Sequence, residues 1–327
     1  MTVKKIGSAQ PKYLAATDIF IGDMSNTNYE FLLFDRPVIL LANQWLRKNF
    51  PDIGVKTDLT GLEDAIERSL GNPLEYREQR EYWLQKTIYK PDGSSSKRCI
   101  DIMLEKSRIN NPNFVFIHGG DRVVRKTNLE PLVKDAKKRG ITTSFVSAFK
   151  NRGQSDVIYV AAHVVDLDIS GGYKVHFDHD LRGEATTNID WAINYYAKHD
   201  YFPLIDLHVA AGDVGDERTK AVLGPLSDRT VIAGYPKADD FIRLNTEENK
   251  KSVYRELGFD ISKPLITYAP AAKESYMKPG GSLSKETINK LREIASRYDY
   301  NLLIKLKYPR GIIILQAINK LRRMLPI

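Results

Sequence analysis

The stretch Ala15–Leu41, AATDIFIGDMSNTNYEFLLFDRPVILL, decides the fold class. Ile19, Phe20 and Ile21 show no polar alternation, the mark of a parallel strand buried on both faces. Gly22–Asn26 reads as a turn, Thr27–Phe34 as a helix and Pro37–Leu41 as the next strand. A strand that runs through a small polar turn into a helix is suited to holding phosphate. The first N–H groups of the helix have no intrahelical partner, and the macrodipole adds partial positive charge, so a pyrophosphate can be received without a metal. Ser25, Asn26 and Thr27 are the natural donors. The competing reading is that Ser25 or Asn26 only caps the helix, the commoner use of these residues.

Outward from this segment, apolar runs alternate with helical patterns, which gives an α/β class built of parallel βαβ units. Strands are expected at Phe114–His118, Thr143–Val146, Val157–Val160, Lys174–Phe177, Leu207–Ala210, Val231–Gly234, Leu265–Tyr268 and Leu302–Leu306. Helices are expected at Leu129–Arg139, Asp190–Lys198, Asp216–Leu223, Glu247–Leu257, Lys285–Tyr298 and Ile312–Leu325. Loops rich in Gly, Ser and Pro, Lys90–Ser96 and Lys278–Ser284, punctuate these units.

A chain of 327 residues exceeds one comfortable core and predicts two domains. Its 42% hydrophobic and 28% charged residues are those of a folded chain, its apolar runs are too short to span a bilayer, and its first residues lack the apolar core of a signal peptide. The lone Cys99 has no partner for an internal disulfide or a cysteine metal site, which suits a cytoplasmic setting. A net charge of +8 favours anionic partners. From Lys285 onward ten Lys and Arg stand against three Asp and Glu, a basic patch that offers peripheral contact with the inner face of a membrane, against the plainer reading of solvated helix faces. Aromatic and basic residues are not interleaved as for stacking single-stranded bases, which sets nucleic acid last.

Three further stretches carry chemistry. Gly234-Tyr235-Pro236-Lys237 follows a strand and precedes Asp239, at the carboxyl end where open α/β sheets bind ligands. Leu265–Pro270 ends in a comparable turn, followed by Lys273. In Asp178-His179-Asp180 a histidine lies between two carboxylates, a setting in which a neighbour can orient the imidazole and raise its proton affinity. The plainer reading of His179 is a surface or packing residue. His118, His163, His176, His199 and His208 show no metal-ligand spacing.

Taken together, Tyr13–Leu41, KPDGSSSKRCIDIM (90–103), HDLRGE (179–184), GYPKADDF (234–241), LITYAPAAKES (265–275) and LLIKLKYPRG (302–311) resemble the CDP-glycerol glycerophosphotransferase family of teichoic-acid-type polymerases and their GT-B relatives. The resemblance implies two Rossmann-like domains facing a cleft and no obligatory cofactor or metal. The implied reaction is transfer of a polyol phosphate or sugar from a CDP- or UDP-linked donor to a hydroxyl acceptor, including a lipid-linked one. The order differs from the family's, in which the segments like DMSN and DGSSSKR come last. The expected organisation is therefore permuted: 1–108 as the later part of the donor-nucleotide domain, 109–244 as the acceptor-side domain, and 245–327 as the first part of the donor domain. A circular permutant cut between Ile312–Leu325 and a strand near Val3–Ile6 accounts for this, as does a slice across two tandem copies.

Carried over by resemblance, His179 is the general base, Ser25, Asn26 and Thr27 are the donor-phosphate turn, and Glu30 is a candidate for the ribose hydroxyls. Asp180, Lys237, Pro270 and Lys273 complete the candidate set together with Lys307, which stands where the family has a second histidine. A lysine there can stabilise phosphate charge but is normally protonated, which disfavours it as a base. The rival classes are a nucleotide-sugar epimerase-like enzyme and a catalytically inactive nucleotide binder.

Overall fold

A computed structural model of the chain describes residues 3–6, 11–23, 25–41, 47–48, 50–119, 123–148, 153–177, 181, 205–270 and 285–305. The expected helices at 190–198 and 312–325 lie outside them. The strands are β1 (Val3–Ile6), β2 (Ile19–Gly22), β3 (Val38–Leu41), β4 (Val55–Thr57), β5 (Asn113–Ile117), β6 (Thr143–Val146), β7 (Val157–Ala161), β8 (Tyr173–Phe177), β9 (Leu207–Ala210), β10 (Thr230–Ile232), β11 (Leu265–Tyr268) and β12 (Asn301–Lys305). The helices are α1 (Pro11–Ala16), α2 (Asn26–Phe31), α3 (Leu62–Gly71), α4 (Arg77–Thr87), α5 (Ser95–Ser107), α6 (Val123–Lys138), α7 (Asp213–Leu223), α8 (Pro236–Leu244), α9 (Glu247–Leu257) and α10 (Lys285–Arg297). All described strand pairings are parallel, so the chain is α/β with two parallel sheets of Rossmann-like type.

The chain forms two units, Met1–Arg80 with Leu244–Ile327, and Glu81–Arg243. Residues 81–108, expected with the opening segment, belong to the same compact unit as the middle of the chain. The reason is local: α5 packs on α6 and β9, and its first turn is bonded to α8.

The first unit's sheet has the order β1-β12-β11-β2-β3-β4. Read with the chain's last segment first, its strands run 3-2-1-4-5-6, the doubly wound order that carries dinucleotides at its reversal point. Both faces are covered. Ile266, Tyr268, Leu302 and Ile304 point to one side, into a core with Leu62 and Ile66 of α3 and Leu291 and Ile294 of α10. Leu265 and Leu303 point to the other, against Tyr13 and Ala16 of α1 and Val253, Tyr254 and Leu257 of α9. This two-sided burial is why β2 and β3 read as unbroken apolar runs, and why the one hydroxyl on a threonine in β11, Thr267, is paired with Thr17 Oγ1 at 2.6 Å. Helix α9 is bounded as its sequence predicts: Thr246 caps it by accepting from Asn249 N–H at 3.2 Å, Glu247 and Glu248 fill the first turn, and Gly258 ends it in the left-handed region.

The second unit's sheet has the order β10-β9-β8-β7-β5-β6. In chain order this is 2-1-3-4-5-6 with its reversal between β5 and β7, the flavodoxin-like arrangement. One core joins Ile117, Val157, Tyr159 and Ala161 to Ile205 and to Leu223 of α7.

Candidate functional site

In an open parallel sheet, loops at the carboxyl ends of the two strands flanking the reversal point diverge and leave a crevice. In the first unit those strands are β11 and β2. They pair in register, Tyr268 opposite Ile21, and Ala269 N–H donates to Ile21 O at 2.9 Å just beyond the last pair. The residues at and just after the ends of the two strands, Gly22–Asp23 and Ala269–Pro270, therefore begin side by side at the sheet's edge. Of the expected site residues, Ser25, Asn26, Thr27, Glu30 and Pro270 are brought to this region of one unit; Lys273 lies outside the described residues.

Ser25 is the N-cap of α2. Its backbone is extended (φ −126°, ψ 142°), and its Oγ accepts from Thr27 N–H at 3.3 Å and donates to Thr27 Oγ1 at 3.2 Å. Capping and anion binding thus draw on the same residues, and two of the expected donors are already engaged within the fold, Thr27 N–H by the cap and Ser25 N–H by Asp23 O at 2.9 Å. Helix α2 is nearly enclosed: Asn28, Tyr29 and Phe31 are fully buried, and Glu30 is 3% exposed. Phe31 stacks on Phe20 of β2 at 5.0 Å, which fixes the helix to its strand. The helix starts at Asn26, one residue before the expected start, and gives way at Leu32–Phe34 to a 3-10 turn closed by Asp35 in the left-handed region (φ 48°). Gly22, expected in the turn, is the last residue of β2.

Lys237 belongs to the second unit. Its Nζ lies over the Phe241 ring at 5.4 Å, on α8 beyond the edge strand β10, and thus not at a reversal point. Beside it Asp239 accepts from the backbone N–H groups of Ser95 at 2.9 Å and Ser96 at 2.8 Å, so a carboxylate of α8 satisfies the N-terminus of α5. Arg98 completes the clamp, donating to Ala233 O at 3.0 Å, to Asp92 at 2.7 and 2.8 Å and to Lys90 O at 2.7 Å. Gly234 is required there: at φ +103° it sits where a Cβ would meet Ser95 Oγ at 2.8 Å and Tyr89 O at 2.9 Å. The KPDGSSSKRC and GYPKADD stretches, far apart in sequence, are thereby one structural joint, and the expected loop Lys90–Ser96 ends within α5. Cys99 is buried in the same joint, where loss of solvent pushes its thiol pKa up and leaves it inert.

His179, Asp180 and Lys307 lie outside the described residues. Nearby in sequence, the structure joins two histidines that spacing did not single out. His176 and His208 face each other across β8 and β9, Nδ1 to Nδ1 at 2.8 Å, so one ring donates and the other accepts, and His208 Nε2 is 3.0 Å from Thr219 Oγ1 of α7. Burial, with Arg218 adding repulsion, pushes the His208 pKa down to about 3, so the ring stays neutral.

Among the described residues, no group of three His, Cys, Asp or Glu is arranged to hold a metal ion, and no helix is long and apolar enough to cross a membrane. Part of the basic C-terminal patch is paired within the fold: Lys290 and Arg297 of α10 both contact Glu63 of α3.

Compared with protein-family models, with curated proteins and with solved structures, the chain matches none.

Proposed function

We propose that this chain is a transferase that moves a glycerol phosphate, or a related polyol phosphate or sugar, from a nucleotide-activated donor such as CDP-glycerol to an acceptor hydroxyl in cell-surface polymer or glycan synthesis. The observation that supports the reading most is a coincidence of two independent lines. The turn that resembles a donor-phosphate loop, Ser25–Thr27, follows β2, and β2 is one of the two strands flanking the reversal point of a 3-2-1-4-5-6 sheet. Strand order is no part of the residue resemblance, yet it selects the same loop.

In this reading the nucleotide's phosphates rest at the Ser25–Thr27 turn beside Pro270, and Glu30 is retained as the candidate for the ribose. The imidazole of His179, oriented by Asp180, takes the proton of the acceptor hydroxyl as its oxygen bonds to the donor phosphorus or sugar carbon. The bond to the nucleotide phosphate breaks, and that phosphate leaves with the electron pair. Lys273 and Lys307 are the candidate cations for the charge that develops. No metal or cofactor is invoked. The working place consistent with this chemistry is cytoplasmic, with peripheral contact at the inner face of the membrane through the basic residues after Lys285.

The test is calorimetric titration with CDP, UDP, GDP and CMP, followed by radiolabelled transfer from the donor whose nucleotide binds. His179→Ala is expected to cut turnover by about 10²- to 10⁴-fold with nucleotide affinity retained. Nucleotide binding without transfer by the native chain identifies the inactive binder, the reading favoured by Lys307 in place of histidine. Full turnover by His179→Ala removes the base assignment.

A further inference from the structure

We propose that Thr219, His208 and His176 form a proton-sensitive latch in the second unit. It ties the edge block of β9, β10 and α7 to β8 while the two rings share a hydrogen, and it loosens as acid charges both rings. The proposal does not rest on the transferase reading. His176 Nδ1 and His208 Nδ1 are 2.8 Å apart, and His208 Nε2 is 3.0 Å from Thr219 Oγ1. Both rings are buried. A neutral imidazole carries one N–H and an imidazolium two, so one Nδ1 donates and the other accepts. That choice also sets whether His208 Nε2 donates to Thr219 or accepts from it, and the two hydrogen bonds reverse only together. One extra proton leaves the Nδ1 contact intact. A second puts hydrogen on both Nδ1 atoms, and two N–H groups cannot face each other at 2.8 Å.

The edge block holds together by itself. Thr230 of the edge strand β10 sits opposite His208, and its Oγ1 donates to Asp216 Oδ1 of α7 at 2.9 Å. Among the described residues, α7 faces the pair with buried Arg218, which repels charge on His208, and with buried Asp216, which is engaged by Thr230 and by Lys220 at 2.8 Å. Glu217 of α7 is exposed. Strand β8 adds Lys174 on the same side as His176, and β7 sets uncharged Ala161 opposite His176. The 3-10 turn Val164–Leu167, packed on β7 and β8, adds Asp166, with His163 before it. Helix α5 packs on β9 from the other face, because the crossovers through α6 and α7 run in opposite directions along the sheet. Both ring nitrogens of His208 are thus taken by groups that are not carboxylates. When the seam opens, His208 meets water and takes a proton at its ordinary value near 6.5, whereas the closed seam keeps it neutral down to about 3. Opening therefore takes up a proton, and acid favours it below about pH 6.5. The strand on the other side of the seam, β8, ends immediately before Asp178-His179-Asp180.

The experiment is hydrogen exchange on the full-length native chain and two variants at pH 7 and pH 5, corrected for the intrinsic rate. His208→Gln keeps hydrogen-bonding groups and removes the titration, and Thr219→Val keeps the volume and removes the tether of His208 Nε2. In the native chain we expect β9 and α7 to open more often than β5 and β7, with an opening constant that rises about 25-fold between pH 7 and pH 5. In His208→Gln the rise should stay below about threefold, and Thr219→Val should open more often than the native chain at pH 7 while keeping the rise. One opening constant shared by β5, β7 and β9, a native rise below about threefold, or an equal rise in His208→Gln would overturn the proposal. If His208→Gln does not fold, Thr219→Val decides, and native exchange in that variant at pH 7 overturns the latch.

Discussion

The two sheets are both parallel and both six-stranded, yet the chain supplies them differently. The second unit takes its strands from one continuous stretch, Glu81–Arg243, and its reversal point lies between β5 and β7, close in sequence. The first unit draws on both ends of the chain, and its reversal point joins β2 near the start to β11 near the end. What this teaches is that a crevice belongs to the spatial order of strands, not to their order in sequence. It also makes the candidate site a long-range construction. Closing the contact between Ala269 and Ile21 orders far more chain than any pairing in the second unit requires.

The contrast can be broken most forcefully at Phe20, which is fully buried in β2 and stacked on Phe31. Phe20→Ala is expected to cost about 3–5 kcal/mol, and hydrogen exchange should show lost protection in β2, β11 and β12 with β5 and β7 unchanged. Equal loss in both sheets would mean that the chain opens as one block. Next in size is Asp239→Ala, which strips two N–H groups of α5 of their acceptor and should cost about 1–3 kcal/mol, confined to the protection of the second unit.

A pH series sharpens the comparison further. Because the folded His208 has its pKa lowered to about 3 from an ordinary value of 6.5, the unfolded chain binds a proton there first as pH falls. The stability that His208 supplies is therefore complete above about pH 6.5 and is lost progressively below it, with a slope of at most about 1.4 kcal/mol per pH unit. Urea midpoints between pH 7 and pH 5 should fall for the native chain and flatten in His208→Gln; parallel curves would show that His208 is not the group responsible. The smallest effect is expected from Glu63→Gln, which loosens Lys290 and Arg297 at the surface and should shift the midpoint slightly at low salt and not at high salt.

How much of this was legible follows from the physics of each segment. Leu265–Tyr268, Leu207–Ala210 and Glu247–Leu257 were read at their observed bounds, because a strand buried on both faces stays mainly apolar and a capped amphipathic helix writes its own ends, and Thr143–Val146 was too, although it is a part-exposed edge strand. Helices α1, α3 to α5 and α8 and strand β4 escaped. Helix α4, REQREYWLQKT, is polar nearly all round, β4 is three residues long with a lysine in the middle, and α5 opens inside a serine-rich loop that reads as coil. In the candidate site, Ser25 as a cap was visible from residue type alone. The closeness of Gly22 to Asn28 was not, since nothing in either residue type reveals that a Cβ added at Gly22 would meet the Asn28 carboxamide. The His176–His208 contact was hidden for a similar reason: 32 residues separate the two rings, and only the β8–β9 register brings them together.

The most direct test of the account is a hydrogen-exchange footprint of CDP on the full-length chain, beside the variant Ser25→Asp. Aspartate caps a helix as well as serine does, so the variant keeps the fold while setting a carboxylate where the phosphates are proposed to rest. The account predicts that CDP protects Ile19–Phe31 and Leu265–Pro270 in the native chain and leaves Ser25→Asp unprotected. Protection that appears instead at the ends of β5 and β7, or that survives Ser25→Asp unchanged, would contradict it.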